Sequence, residues 1–449
     1  MLTNLLAAAE VFKTIGSVLL AILILLAMIT VHEFGHYVAG KILGFRIDEF
    51  SIGFGPAIFK RKNKKSGELF ALRIIPLGGF CAFHGEDGLE EEKKPEEKPE
   101  EPFPEIESQA AEAHAPQSPT EEYVEVSAIS AQTENDAPMS AVTGENAAEE
   151  IVPKGGSFTE MKPWKRIIVL VAGALMNYLL ALVLIIVSMF AYGQTMLAVY
   201  EMEDPAGVSA EYIEYGLRDL DVFLKADGKS LYLTTDIARV LNGKKQGDMV
   251  ELYISRVVGY EGEGEDRVSI REEMTVNIML RADVEVKNSA DLDGVWKALG
   301  IRYIEEGEDS GYSLASKLYR FGFFETLGRS FVYSFKIAGS IFRIIGELLT
   351  GHLGITAVGG PVTTITMTSQ IASRSFRSFL EIASFIGVNL AVFNLLPIPA
   401  LDGSKVVFTI IEWIRGKPIS RKVEAIIHAV GFVLIIGFAI LVDILQFVI

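Results

Sequence analysis

His32 and His36, in the run "VHEFGH", stand four residues apart with Glu33 between them. On an α-helix this spacing puts both imidazoles on one face, about 6 Å apart along the axis. Two neutral imidazoles so placed can hold one Zn²⁺, and the intervening carboxylate can act as general base on a water that the ion activates. The H-E-x-x-H spacing also arises by chance on soluble helices, so its surroundings must carry weight. Here it ends a long apolar run. Three ionisable groups within about one helical turn of such a run are costly in a bilayer unless they do something. The bland alternative is a polar helix end sitting in water.

A catalytic zinc needs a third protein ligand and an open position. With Cys81 as the single cysteine, neither an intrachain disulfide nor a Cys-rich metal site can form, so any metal must use His, Asp or Glu. Asp402, in "NLLPIPALDGSK", is the best candidate. It follows an apolar run, and Pro397 and Pro399 break that helix and free the backbone to turn the carboxylate inward. An ordinary Asp-Gly turn is the competing reading. His84, His114, His352 and His428 compete as ligands. They are expected, respectively, at a hairpin end, in a polar tether, across the membrane, and packed in the last apolar run. Asn177 in "VAGALMNYLL", and Asn389 and Asn394 in "VNLAVFNLL", either join helices by hydrogen bonds or bind substrate backbone.

These residues need apolar helices to position them. Half of the 449 residues are hydrophobic, and the mean hydropathy of +0.32 exceeds that of ordinary soluble proteins. Four runs are long enough for the roughly 20 residues that cross a bilayer: about 15–31, continued by the HEFGH segment, then about 167–192, 379–396 and 425–449. A signal peptide is the alternative for the first. It is opposed by the lone Lys13, balanced by Glu10, and by the lack of an A-x-A site. Lys41, Arg46 and Lys60 to Lys65, then Lys162, Lys165 and Arg166, then Lys405, Arg415 and Lys422 put both basic loops in the cytoplasm. Residues from about 193 to 375 are then outside.

The net charge of −17 resides in one stretch, since residues 86–150 hold 20 acids and 3 Lys. The rest is neutral, so the charge argues for no particular partner, and none of nucleic acid is expected. The stretch is rich in Glu, Pro, Ala and Ser and reads as a disordered tether. Residues 46–59 and 69–83 read as a β-hairpin. The outer part opens with a compact α/β module over about 197–282, in which "TTDIARVLNG" reads as a helix capped by Thr. Residues 314–349 read as an amphipathic helix on the membrane surface. The expected fold is a four-helix membrane protein with a membrane-associated hairpin and an outer α/β domain. Its parts are 1–44, 45–84, 85–160, 161–194, 195–285, 286–375, 376–415 and 416–449.

The chain resembles the site-2 proteases, zinc intramembrane metalloproteases, and most closely their bacterial regulator of sigma-E protease type. The pieces that carry the resemblance are "VHEFGHYVAG", "FSIGFGP", "IIPLGGF", "WKRIIVLVAGALMNYLLA", "GGPV" and "VNLAVFNLLPIPALDGSKVVF", in the family's order. The resemblance implies that His32, His36 and Asp402 bind zinc and that Glu33 is the catalytic base. It implies a PDZ-like outer domain, and a hairpin edge that pairs with an extended substrate. Asn177, Asn394, Pro397 and Pro399 become candidate substrate-binding residues. Expected partners are the lipid bilayer of a bacterial cell membrane, single-pass membrane proteins such as pre-trimmed anti-sigma factors, remnant signal peptides, and an upstream site-1 protease. Ala174 stands where the family usually has Pro, and Ser404 where it has a second Gly. A silent scaffold with structural zinc and a metal-ion transporter are the rivals. Intact Glu33 argues against the first, and donors clustered at one depth against the second.

Overall fold

The computed structural model describes residues 2–86, 153–199, 216–218, 220–262, 268–288, 292–300, 314–355 and 358–448. The expected tether, with His114, falls largely outside these residues. Four helices are long and apolar enough to cross a membrane. They lie within α1 (Leu2–Leu43), α2 (Pro163–Tyr192), α7 (Phe376–Leu395) and α9 (Arg421–Val448).

Small residues let these helices approach. A Cβ at Gly35 would lie 2.4 Å from Ala172 O, so α1 meets α2 backbone to backbone. Leu380, Ala383, Ile386 and Val388 make α7's buried stripe, and Ala181, Leu182 and Ile185 that of α2. Between α7 and α9 lies the separate helix α8 (Asp402–Arg415), which begins at Asp402 itself. Extended Leu396 caps α7, and the prolines that follow keep the helix from continuing.

Two strands follow α1: β1 (Ile47–Lys62) and β2 (Leu69–Phe83), antiparallel. The hairpin folds back on itself. Phe50 pairs with both Cys81 and Phe70, and Ser51 with both Phe80 and Ala71. The backbone therefore runs side by side in the order 57–62, 69–73, 49–52, 79–83. Buried Glu68 pins the turn to the end of α1 through Lys41 and the Tyr37 hydroxyl at 3.2 Å, and within the turn it accepts from the Ser66 hydroxyl at 3.0 Å. Phe54, Ile58, Ile74 and Ile75 stay exposed and form an apolar surface.

The second sheet grows from the end of α2. Its strands are β3 (Gln194–Val199), β4 (Val222–Ala226), β5 (Lys229–Ser230), β6 (Met249–Glu261), β7 (Val268–Met279) and β8 (Leu314–Tyr319). The order is β7-β6-β4-β3-β8, with β5 on β4. Helices α3 (Asp236–Leu241) and α4 (Asp293–Leu299) supply Ile237, Leu241, Trp296 and Leu299 to its core. Thr235 is the N-cap of α3, as expected, though its side chain makes no capping hydrogen bond. The Asp236 carboxylate closes the turn before the helix, accepting from Tyr232 N at 3.0 Å and Leu233 N at 3.1 Å. One expectation needs correction. Residues 314–319 are strand, because β3 offers an open edge that they fill at six successive pairs.

The amphipathic helix is α5 (Phe323–Leu349), and its inward stripe packs on protein. Ile337 and Ile341 join Ala181, Ile185, Val388 and Val392, while Phe324, Phe335 and Phe342 face outward. Buried Arg329 ties α5 to the sheet, donating to Gln194 Oε1 at 2.7 Å and lying 3.9 Å over the Phe321 ring. Lys336 adds an ion pair to Asp236 at 3.1 Å. The short helix α6 (Pro361–Ala372) opens at the "GGPV" run, where the Asp443 carboxylate of α9 accepts from Val362 N at 2.9 Å. A carboxylate at a helix N-terminus satisfies an orphan donor and the helix dipole together.

Candidate active site

The last turns of α1 carry His32, Glu33 and His36, and α8 delivers Asp402 from 370 residues away. His32 Nε2 lies 2.9 Å from Asp402 Oδ2, His36 Nε2 lies 3.2 Å from the same oxygen, and the two ring nitrogens are 3.1 Å apart. Both histidines are buried, at 7% exposure. Among the described residues this is the group of three that could hold a metal ion.

The surrounding hydrogen bonds prepare these atoms. His36 Nδ1–H donates to Val169 O at 2.8 Å, which leaves the lone pair on Nε2. Asn394 Nδ2 stands 3.4 Å from His32 Nδ1; the other amide orientation would set its oxygen there, let Nδ1–H donate and leave His32 Nε2 free in the same way. In that arrangement three electron-rich atoms converge with no proton of their own to share, which a dication between them would reconcile. Donors held at about 2.0–2.1 Å by a tetrahedral zinc lie roughly 3.3 Å from one another. The 2.9–3.2 Å separations fit that ion with little movement.

Glu33 is not one of the three. Its carboxylate lies beside the Cys81 backbone N–H, and a Cβ placed on Gly79 would lie 3.3 Å from its Cγ. The 79–83 edge of the hairpin therefore runs beside it. The Cys81 thiol is pushed well above its ordinary range by burial and by nearby Glu33, so it stays neutral and is no rival ligand.

Glycine makes room for the donors. A Cβ on Gly173 of α2 would lie 2.4 Å from His36 Nε2 and 2.8 Å from His32 Cε1. Gly403, after Asp402, sits against the end of α7, where a Cβ would meet Leu396 O at 2.2 Å. G403A is expected to destabilise the protein by about 1–3 kcal/mol, as overpacking does. It should also lower zinc retention, with thermal unfolding and bound metal as the two readouts.

The other sequence candidates are spread around this centre. Asn177 is fully buried, with neither amide atom partnered, so as placed it joins no helices by hydrogen bonds. Pro397 and Pro399 lie in the turn before Asp402, and Pro399 packs where a Cβ on Gly431 would strike it at 2.2 Å. His84 Nδ1 bonds Asp48 Oδ2 at 2.9 Å, and His352 Nδ1 bonds the Thr350 hydroxyl at 2.8 Å. His428 Nδ1 accepts from Ala400 N at 3.0 Å. None of these three histidines reaches the centre. Ala174 is fully buried in α2, and the Ser404 hydroxyl donates to Leu401 O at 2.7 Å, so both departures are absorbed without loss of a donor. Sequence reasoning missed Gly173, the Val169 carbonyl and the Cys81 N–H. The one available signal was the small-residue run Ala172-Gly173-Ala174.

Residues 20–438 match the profile of peptidase family M50. The chain belongs to peptidase family M50. Zinc metalloprotease RasP of Bacillus licheniformis is 28% identical over 440 residues, covering 93% of this chain and 95% of its own. Regulator of sigma-W protease RasP of Bacillus subtilis is 27% identical over 439 residues, covering 93% of this chain and 94% of its own. This M50 chain is a zinc-dependent site-2-type protease with four candidate membrane helices.

Proposed function

We propose that His32, His36 and Asp402 bind the zinc, and that Glu33 is the general base for hydrolysis of peptide bonds inside the membrane. One observation carries this reading. Three donor atoms stand 2.9–3.2 Å apart, two of them on a helix long enough to cross a bilayer and the third at the start of α8, with a separate carboxylate beside them.

Zinc bound there supplies Lewis acidity, which makes a water acidic and a carbonyl electrophilic. Glu33 takes the proton from the attacking water and passes it to the departing amide nitrogen. The Cys81 N–H lies beside that carboxylate. A substrate helix must unwind first, because its carbonyls are bonded internally. The unwound segment pairs as a strand with the 79–83 edge, which delivers its backbone next to Glu33. Asn177 and Asn394 offer amides to that backbone. Buried Asn177, without a partner of its own, is suited to this. Pro397 and Pro399 shape the floor of the cleft.

The ends of the spans that carry Lys41, Arg166 and Lys422 face the cytoplasm of a bacterium, and the six-stranded sheet lies outside as a PDZ-like domain. Arg329 and Lys336 fix that domain to α5, so it excludes substrates by bulk. The substrates are single-pass proteins trimmed beforehand by a site-1 protease, or remnant signal peptides. The printed name of the Bacillus subtilis relative, regulator of sigma-W protease, supports a trimmed regulator of a sigma factor.

The test uses the purified chain in proteoliposomes with a single-pass substrate, either intact or lacking its outer domain. The trimmed form is expected to be cut faster than the intact one. Chelation is expected to stop cutting, and zinc to restore it. Cutting that survives chelation would contradict the metal assignment, and equal rates for both substrates would contradict the size filter.

A further inference from the structure

The turn of the first hairpin carries a basic run, Lys60, Arg61, Lys62, Lys64 and Lys65. Such a run is ordinarily just solvated, but this one frames a cavity. The cavity measures about 650 Å³ and is lined by Phe59, Asn63 and Phe70 together with Arg61, Lys62, Lys64 and Lys65. No carboxylate lines it. Glu68, on the same turn, is 3% exposed and turned inward onto Lys41 and the Tyr37 hydroxyl. Arg61, Lys64 and Lys65 are exposed, and among the described residues no carboxylate lies within ion-pair distance of them. Cations gathered on one cavity without a counter-charge attract an anion.

Depth says which anion. Through Glu68 the turn is fixed to Tyr37 and Lys41, at the end of the Thr14–Leu43 span. That is the level of lipid headgroups. The strands run from there back along α1. Gly79, at their far end, lies beside Glu33, which precedes Lys41 by eight residues and so stands about 12 Å deeper. The exposed side chains change in the same direction. Phe54, Ile74 and Ile75 are at the deep end, Ile58, Phe59 and Leu72 come next, and the cations are at the turn. The sheet is apolar where it is deep and basic where it reaches the headgroups. Phe59, 56% exposed, is part of both surfaces.

We propose that this cavity binds an anionic phospholipid, with its phosphate against Arg61, Lys64 and Lys65 and its acyl chains along Phe59 and Leu72. Juxtamembrane cations recognise anionic lipid in this way. The acidic run of the same chain, residues 86–150, is the rival occupant on charge alone. The exposed apolar side chains next to the cations favour the lipid. The bound lipid holds the hairpin at a fixed depth. On the function proposed above, on which this consequence rests, it also sets the depth of the 79–83 edge that receives the substrate.

The experiment titrates the full-length chain, in a neutral detergent, with phosphatidylglycerol or phosphatidylcholine and counts bound lipids by native mass spectrometry. The first phosphatidylglycerol is expected to bind about tenfold more tightly than the first phosphatidylcholine, as one charge-assisted contact allows. R61Q/K64Q/K65Q is expected to erase that preference. K225Q/K229Q/K297Q, which removes the same charge from exposed positions around the second sheet, is expected to keep it. F59S leaves the charge alone and is expected to weaken phosphatidylglycerol about fivefold, through lost apolar contact. Sodium phosphate at the lipid's concentration is expected not to displace it. Binding is read without any cleavage, so its failure and that of the protease reading are told apart. Equal wild-type affinity for both lipids, which is the result if residues 86–150 fill the cavity, would overturn the proposal. So would wild-type preference in R61Q/K64Q/K65Q, equal loss of preference in both triple variants, unchanged binding by F59S, or displacement by phosphate.

Discussion

E33Q is expected to lower cleavage of a reconstituted membrane substrate at least ~10³-fold, within the range that a positioned general base contributes. Zinc content should stay at the wild-type level. The reasoning rests on position. Glu33 shares α1 with both histidines yet lies outside the three converging donors, which are His32, His36 and Asp402. Glutamine keeps the size of the side chain and an oxygen for the Cys81 N–H, but it cannot take a proton. Initial rates and metal analysis on one preparation separate the two effects. An E33Q protein that cuts at the wild-type rate would remove Glu33 from the chemistry. One that loses its zinc would make it a ligand.

G173A is expected to lower zinc affinity about 100-fold, at the upper end of what outer-shell changes around a metal cost. The added methyl would lie 2.4 Å from His36 Nε2, closer than real Cβ contacts come. Either α2 moves away from α1 or the ring turns aside, and both spread the donors. Alanine itself favours a helix over glycine by up to about 1 kcal/mol. This offsets part of the overpacking, so the melting temperature measured without zinc should fall only modestly while metal affinity falls far more, which distinguishes a damaged centre from a damaged fold. Titration against a competing chelator and a thermal melt measure the pair. Wild-type zinc affinity in G173A would mean that the two spans separate freely.

Much of this arrangement was legible beforehand because bilayers constrain sequences strongly. Four apolar runs announced four helices, and "HEFGH" placed two imidazoles and a carboxylate within one turn or so. Asp402 was different. Spacing alone left it open to an ordinary turn, and only the resemblance linked it to residues 370 positions away, beside which the structure sets it. What stayed hidden depends on backbone rather than side-chain chemistry. The Val169 carbonyl and the Cys81 N–H belong to groups that every residue carries, so no residue type signals them. The doubling of the hairpin comes from long-range pairing of Phe50 with both Cys81 and Phe70, which alternation of apolar residues does not encode. Residues 314–319 carry apolar positions compatible with either a helix or a strand. The open edge of β3 decided between them, a tertiary effect overriding local preference.

The most direct test of an active centre inside the membrane is the position of the cut. The zinc-loaded chain in proteoliposomes is given a trimmed single-pass substrate, and mass spectrometry locates both new termini. The expected bond lies within the apolar segment, toward the end of the span level with His32 and Asp402, and E33Q forms the products at least ~10³-fold more slowly. A cut confined to the flanking soluble residues, or the same products from E33Q at the wild-type rate, would contradict the account.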